Sequence, residues 1–359
     1  MESKTERIYY MDLARAVILL TGVFFHAALN FEDSDNSLHV QWFPHALAVL
    51  IDVMRRFRME ALFVVSGYFS GVLVESRGVK GFFRNRTVRM GVPLLFCGTV
   101  FNPIPYLFMQ PRFVPWRQPF YFINGVWKNH LWNIANLLAY ETTLFTALIF
   151  LPTLHRKLSQ TRVPALVVVA GYVLAFLGFQ AFWAHLPGFR FPDFFVTAGH
   201  LPRYAPAYLL GYFVQRNRVV RESLFDLRIS LPLAVVATVA ERIVSVRIPD
   251  GMAVTTLLTL ERIALACVLF SFVRAVETPN IWIRRLSIAS YTIYLLHMPF
   301  QMAFMAAFPW LREGWLSYFL VGFVPIPLFW AFHVYVVERV DWAGFLFNGK
   351  VYTPKTRSF

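Results

Sequence analysis

Charged residues and cysteines are both scarce in this chain of 359 residues. Charged side chains make up 15% of it, and the two cysteines, Cys97 and Cys267, each fall inside a long apolar run. So few charges cannot cover a water-soluble surface of this size. Two isolated cysteines indicate packing residues rather than a disulfide framework or a cysteine-ligated metal site.

Several motifs that are typical of metal sites, phosphate-binding sites and catalytic nucleophiles are also missing from the sequence. It contains no zinc-ligand spacing, phosphate-cradling glycine loop or nucleophile elbow. We therefore expect no metal and no permanently bound cofactor. The net charge of +14 could suggest nucleic acid, but the basic residues are spread over short loops between apolar blocks instead of forming one basic face. We expect no nucleic-acid partner.

What the sequence has in abundance is apolar and aromatic surface. Hydrophobic residues make up 57% of the chain, Phe alone occurs 38 times, and the apolar residues form blocks of about 17 to 22, the length that spans a bilayer. This pattern predicts an all-α, polytopic protein of the bacterial inner membrane, surrounded by lipid, with one integral-membrane domain over residues 1–359. Ten spans are predicted, at about 14–31, 46–75, 88–109, 130–151, 163–184, 200–215, 229–246, 254–274, 286–309 and 316–337.

The loop charges predict how these spans are oriented. One set of loops holds most of the Lys and Arg, whereas the first loop on the other side is acidic, with Glu32, Asp33 and Asp35. Because short cytoplasmic loops retain positive charge, we expect both the N- and the C-terminus to be cytoplasmic.

Two histidines are predicted to reach the same depth in the membrane. His26 follows Arg15 by eleven residues in the first span, roughly 16 Å along a helix axis, and His297 lies as far into the ninth span from the same side. Histidine suits general-base catalysis because it accepts a proton near neutral pH. The alternative is that each is a hydrogen-bonded packing residue.

Three carboxylates within predicted spans could orient such a histidine. They are Glu60, Glu141 and Glu261. A carboxylate that accepts from one ring nitrogen fixes the tautomer of the imidazole. The alternative is a structural ion pair, such as Arg58 with Glu60 or Glu261 with Arg262.

Two further features lie near the predicted cytoplasmic ends of the second and third spans. Arg84, Arg86 and Arg89 precede the third span, where guanidinium groups could bind the phosphates of a donor such as coenzyme A, with Arg15 adding to their field. Their alternative role is to set the topology alone. The small-residue run 66–71, which begins at Ser66, favours close helix packing over approach to a ligand.

Four stretches resemble the acyltransferase-3 family of membrane acyltransferases. They are the arginine and histidine within residues 11–26, FRMEALFVVSGYF at 57–69, RTVRMGVP at 86–93 and SYTIYLLHMP at 290–299. Within the family, the FRM triplet, SGYFS and the tail FLFNGK at 345–350 most resemble the branch that succinylates osmoregulated periplasmic glucans. The sequence departs from the family pattern at two places. One is Glu60, where an uncharged residue is expected, and the other is the stretch that follows His130-Leu131-Trp132.

This resemblance implies transfer of a succinyl group from cytoplasmic succinyl-CoA to glucosyl hydroxyls of a periplasmic glucan. The implied partners are acyl-CoA, the glycan acceptor and other membrane proteins of glucan synthesis. An alternative within the family is O-acetylation of another surface polysaccharide or lipid-linked sugar. A less favoured alternative is a transporter with a proton relay, which commonly shows paired, broken-helix repeats that this sequence lacks.

Combining residues and resemblance, we expect a defined division of roles. The expected catalytic residues are His26 as general base, Arg15, which positions or stabilises the donor, and His297, which supports the site. Coenzyme A phosphates are held by Arg84, Arg86 and Arg89, and substrate contact or structural support comes from Arg58, Glu60, Ser66 and Glu141.

Overall fold

The structure of the protein is a computed structural model, which describes residues 6–32, 42–109, 114–153, 157–158, 163–185, 195–248, 251–276 and 281–351. Helices and helical turns make up all the regular secondary structure in these ranges. The all-α prediction is confirmed. Asp33 and Asp35 of the predicted acidic loop lie outside the described residues.

Most predicted spans coincide with one long helix, whereas the spans at 88–109 and 316–337 consist of several short consecutive helices. We number the α-helices of the described residues in chain order. They are α1 Glu6–Glu32, α2 His45–Arg86, α3 Val92–Phe96, α4 Ile104–Met109, α5 Pro119–Ile123, α6 Trp132–Phe150, α7 Ala165–Ala184, α8 Leu201–Arg216, α9 Arg218–Leu224, α10 Leu227–Arg247, α11 Met252–Arg274, α12 Ile281–Ala307, α13 Gly314–Phe323, α14 Pro325–Phe332 and α15 Asp341–Asn348.

Six helical stretches within the described residues are long and apolar enough to cross a bilayer. They are Tyr9–Glu32, His45–Met109, Ala165–Phe182, Leu227–Arg247, Met252–Arg274 and Gly314–Val337. The predicted spans on α6, α8 and α12 are not among them. α8 has only 16 residues, and α6 and α12 bury polar side chains such as Asn136 and Gln301 that lower their mean hydropathy. The protein is polytopic, and the count of ten spans and the side of the termini stay predictions.

Backbone contact between α2 and α8 explains the small residues of the second span. A Cβ added to Gly67 would lie 1.9 Å from the Tyr208 carbonyl oxygen, and one added to Gly211 would lie 2.0 Å from the Val64 carbonyl oxygen. Only glycine permits two helices to approach this closely. The run that begins at Ser66 is therefore a packing surface.

Charged side chains near the start of α2 line a cavity. Asp52, Arg55, Arg56 and Arg58 occupy successive turns of this helix, and all four line a cavity bounded by α1, α8, α10, α11 and α12. Charged side chains persist at membrane depth where they face a partner or a cavity. This arrangement brings the polar half of α2 beside the histidines of α1 and α12.

Candidate functional site

Three histidines from separate segments converge at one end of this cavity. His26 comes from α1, His297 from α12, and His130 from the 3-10 turn Val126–Leu131 that leads into α6. The ring centroid of His297 lies 5.0 Å from that of His26 and 5.0 Å from that of His130, and the other two centroids are 5.7 Å apart. All three side chains are buried.

One backbone carbonyl fixes the tautomers of two of these rings. His297 Nδ1 donates to the Tyr294 carbonyl oxygen at 2.7 Å, and His130 Nε2 donates to the same oxygen at 3.0 Å. Because a carbonyl oxygen can only accept, each of these nitrogens must carry the hydrogen. The lone pairs therefore sit on His297 Nε2 and His130 Nδ1. Neither nitrogen has a hydrogen-bond partner within the described part of the chain.

The third ring, His26, contacts a sulfur atom. Its Nδ1 lies 3.1 Å from Met298 Sδ, and the side chain lines the cavity. A thioether sulfur cannot donate, so this contact is a hydrogen bond in the tautomer that carries the hydrogen on Nδ1 and the lone pair on Nε2. Each imidazole is thus arranged to accept one proton.

The hydroxyl of Tyr294 ties this cluster to the turn before α6. It donates to the His130 carbonyl oxygen at 2.6 Å and lies 2.8 Å from Asn133 Oδ1. Tyr294 therefore fixes His130 through its hydroxyl and its carbonyl together. No group of three or more His, Cys, Asp or Glu side chains among the described residues has the arrangement of a metal site.

The cavity beside the cluster has a volume of about 600 Å³. It follows α1 from Ile18 to Leu29, roughly 16 Å along the helix axis. At the end near Leu29 it is bordered by charged side chains, among them Asp52, Arg55 and Glu241. In the predicted orientation this end faces the periplasm.

The expected pairing of a carboxylate with a histidine does not occur among the described residues. Glu141 instead accepts from the hydroxyls of Ser70 at 2.8 Å and Tyr208 at 2.9 Å, and it lies 3.3 Å from Arg86 Nε. That expectation was wrong for Glu141, because the geometry of α6 turns its side chain toward the far half of α2. The backbone carbonyl of Tyr294 performs the orienting role.

The other two carboxylates are also held away from the histidines. Glu261 forms an ion pair with Arg56 at 2.6 Å and accepts from Thr238 at 3.0 Å. Glu60 is buried, and its Oε2 atom has no hydrogen-bond partner within the ranges described. Its charged neighbours are Arg203 and Arg262. The alternative pairs of Glu60 with Arg58 and of Glu261 with Arg262 are therefore not formed in the described structure.

The four arginines assigned to the donor lie in one region, at a distance from the cavity. Arg15 pairs with Asp12 at 3.0 Å and is close enough to Arg86 and Arg89 for their charges to interact. Arg84 and Arg89 are exposed. Among the described residues that line the cavity, none is one of these four arginines.

Arg86 differs from its neighbours in being engaged within the protein. Besides its ion pair with Glu141, its Nη2 donates to the Ser66 carbonyl oxygen and to Ser70 Oγ, each at 3.2 Å. The Ser66 hydroxyl in turn donates to the Leu62 carbonyl oxygen at 2.8 Å. Ser66 and Glu141 thus hold the end of α2 in place and do not line the cavity.

Sequence reasoning did not include His130 or Tyr294 among the site residues. His130 stands at the start of a predicted span and is followed within six residues by Asn133 and Asn136, a polar density unusual at a membrane boundary. That density was a usable signal. Tyr294 acts chiefly through its backbone carbonyl, and no sequence pattern reports that.

Comparison with known proteins identifies the class. Residues 8–334 match the acyltransferase domain of the acyltransferase-3 family, so the chain belongs to that family, and its long apolar helices make it a multi-pass membrane protein. Among individual proteins, it is similar to Glucans biosynthesis protein C of Shigella dysenteriae serotype 1 (strain Sd197), with 31% identity over 142 residues, which are 38% of this chain and 34% of that protein.

The same name belongs to two further relatives. The protein of Escherichia coli (strain K12) is 33% identical over 111 residues, and that of Salmonella paratyphi B (strain ATCC BAA-1250 / SPB7) is 34% identical over 113 residues. In both cases the match covers 30% of this chain and 26% of the relative. The chain therefore spans about a third or less of the length of the curated relatives that it matches. No solved structure matches it.

Proposed function

We propose that this protein is an inner-membrane O-acyltransferase that takes a succinyl group from cytoplasmic succinyl-CoA and transfers it to a hydroxyl of a periplasmic glucan. The observation that carries the proposal is the cluster of three buried imidazoles, two of them oriented by the Tyr294 carbonyl, in which His26 and His130 line a large cavity that also holds charged side chains. The relatives named for glucan biosynthesis support the acceptor.

The chemistry requires one proton acceptor and one proton donor, and an imidazole can serve as both. In direct transfer, the Nε2 lone pair of His26 takes the proton of the acceptor hydroxyl while its oxygen bonds to the thioester carbonyl carbon. The carbon–sulfur bond then breaks, and the departing thiolate takes the proton back from the imidazolium. The products are a succinyl ester and free coenzyme A, and the histidine returns to its starting state.

We assign the other two histidines to supporting roles. His297 Nε2 and His130 Nδ1 are buried without a hydrogen-bond partner in the described structure, so they are available to hold the hydroxyl or water near His26. Their orientation is fixed before substrate arrives because the Tyr294 carbonyl binds both rings. Groups that are already oriented lower the barrier without reorganising during the reaction.

The donor is held from the predicted cytoplasmic side. Arg84 and Arg89 are exposed there, and Arg15 lies close to Arg89. These guanidinium groups would bind the phosphates of coenzyme A, while the pantetheine arm carries the thioester toward His26. Arg86, engaged with Glu141, would position this region.

The acceptor would enter from the opposite end of the cavity. Trp132 and His200 line it with ring centroids 4.4 Å apart, next to Tyr204 and the charged side chains of Arg203 and Arg262. Aromatic faces bordered by a few polar groups suit a molecule with both apolar and hydroxyl-bearing faces, such as a sugar. Other membrane proteins of glucan synthesis would supply the acceptor.

Two measurements test this proposal. The first is mass spectrometry of periplasmic glucans from the source bacterium with and without the gene, where we expect succinate to disappear in the deletion and to return when the gene is restored. The second is incubation of the purified protein in nanodiscs with glucan and labelled acyl-CoA. Labelled ester on glucan supports the proposal. Label only on another glycan would contradict the acceptor, and no acylation of any acceptor would indicate a transporter.

A further inference from the structure

Arg58 is a buried guanidinium without an anionic partner. Its exposed fraction is 7%, its Nε atom has no hydrogen-bond partner, and it forms no ion pair with any residue that the structure describes. The guanidinium packs on the ring of Phe25, whose centroid is 4.1 Å from Arg58 Cζ. A ring face offers a cation some attraction, which is much less than a carboxylate provides.

The neighbouring arginines, in contrast to Arg58, have anionic partners. Arg55 pairs with Glu32 at 2.9 Å, and Arg56 pairs with Asp52 at 3.0 Å and with Glu261. A buried charge that lacks such a partner costs several kcal/mol of stability in general, so it persists mainly where function requires it. An unpaired guanidinium that lines a cavity therefore points to an anionic ligand.

The position of Arg58 relative to His26 restricts that ligand. A Cβ added to Gly22 would lie 2.6 Å from Arg58 Nη1, so the guanidinium lies directly against Gly22 on α1. Gly22 and His26 are four residues apart and lie on the same face of the helix, one turn or about 5.4 Å apart. Arg58 is also near enough to interact electrostatically with all three histidines.

We propose that Arg58 binds the distal carboxylate of the transferred acyl group, so that the enzyme selects half-thioesters of short dicarboxylic acids. This inference rests on the proposed function. In a four-carbon acyl group, the distal oxygens lie about 5 Å from the thioester carbonyl carbon at ordinary bond lengths. The helical turn between Gly22, where the guanidinium lies, and His26 is of the same order, so one short acyl group can contact Arg58 while its carbonyl carbon lies near the hydroxyl that His26 activates.

Two other anions fit this position less well. The phosphates of coenzyme A are separated from the thioester by the long pantetheine arm, and the exposed Arg84 and Arg89 are available to them. An anionic group on the acceptor would meet Arg203 and Arg262, which line the same cavity and adjoin Glu60 instead of the histidine cluster. Of the cavity-lining arginines in the described ranges, Arg58 is the one that lies against Gly22, one turn from His26 toward the predicted donor side.

The first experiment measures donor selectivity. The full-length protein in nanodiscs is given succinyl-CoA, acetyl-CoA, or succinamoyl-CoA, in which a neutral amide replaces the carboxylate. We expect kcat/KM for succinyl-CoA to exceed that for succinamoyl-CoA by roughly 10²-fold or more, because the amide leaves the buried guanidinium unpaired. Arg58→Gln should reduce this ratio to within a few-fold of one, and should leave the acetyl-CoA value within a few-fold of that of the parent.

Matched variants separate the charge of Arg58 from its surroundings. Arg55→Gln removes the same charge one turn away on α2, from a side chain that is 53% exposed and already paired, and should leave the selectivity ratio unchanged. Gly22→Ala keeps the Arg58 charge but displaces the guanidinium, and should lower the ratio. Arg58→Lys should restore part of it.

A binding measurement without acceptor keeps the inference separate from the proposed function. Succinyl-CoA should raise the thermal unfolding temperature of the parent more than acetyl-CoA does, and this difference should vanish in Arg58→Gln. The unliganded Arg58→Met variant should be at least as stable as the parent, because an unpaired buried charge is lost. Equal weakening of both donors in Arg58→Gln, or marked destabilisation of unliganded Arg58→Met, would overturn the inference, even if acyl transfer to glucan is established.

Discussion

The buried ion pair between Arg86 and Glu141 gives a stability prediction that can be worked out from the structure. Glu141 is 1% exposed and accepts from the hydroxyls of Ser70 and Tyr208 as well as lying 3.3 Å from Arg86 Nε. Glu141→Ala therefore leaves a guanidinium and two hydroxyls without their acceptor. Removing one partner of a buried pair typically costs about 3–5 kcal/mol of unfolding free energy.

This cost corresponds to a measurable shift in unfolding temperature. With an unfolding entropy of about 2.1 cal/mol/K per residue, this cost lowers the unfolding temperature of a chain of 359 residues by roughly 4–7 °C. The double variant with Glu141→Ala and Arg86→Met should recover most of this loss, because it leaves no unpaired charge. A thiol-reactive dye can follow unfolding, since Cys97 and Cys267 are both buried and unbonded.

An exposed carboxylate provides the control for this prediction. Glu75 is 52% exposed and lies 3.5 Å from Arg216, so Glu75→Ala should cost less than about 1 kcal/mol. A shift in Glu141→Ala no larger than in Glu75→Ala would refute the reasoning. So would a double variant that is no more stable than Glu141→Ala, because the loss would then not come from an unpaired charge.

Three further predictions follow from the packing, the cluster and the donor region. Gly67→Ala should greatly reduce the yield of folded protein, because the added Cβ would meet the Tyr208 carbonyl. Gly171→Ala should not reduce the yield, because Gly171 has open space around it. The yield of detergent-solubilised protein measures both effects. His130→Ala should lower kcat by at least about 10-fold and leave the KM for acyl-CoA nearly unchanged; a change confined to KM would contradict its place in the cluster. Arg89→Gln should raise that KM by roughly 10-fold at low salt and by less at high salt, and a salt-independent effect would argue against phosphate binding.

The helices could be predicted from the sequence because a membrane-spanning helix requires a long run of apolar residues. Each of the ten predicted spans falls on helix in the structure, and α2 extends beyond its predicted end at residue 75 to Arg86. Gly78, with φ of 69° and ψ of 172°, is not helical, so the charged stretch is a further helical segment that joins the first at a kink. Periodicity and charge alone did not indicate that continuation.

The site was only partly accessible to sequence reasoning. His26 and His297 could be related because depth along a helix is a count of residues, and their rings lie 5.0 Å apart. How a helix is rotated about its axis, and therefore which neighbour each side chain faces, does not follow from a count of residues. The sequence therefore could not show that Glu141 faces Arg86, or that the Tyr294 carbonyl joins His297 to His130.

The most direct test of the central claim is a single-turnover measurement of transfer from labelled succinyl-CoA to glucan by the parent and by His26→Ala, both reconstituted in nanodiscs. Both proteins must first show the same insertion and the same unfolding temperature. We predict that the variant transfers roughly 10² to 10⁴ times more slowly while its Kd for succinyl-CoA stays within a few-fold of the parent, because a general base acts in the transition state. Near-normal transfer by a well-folded His26→Ala protein would contradict the account.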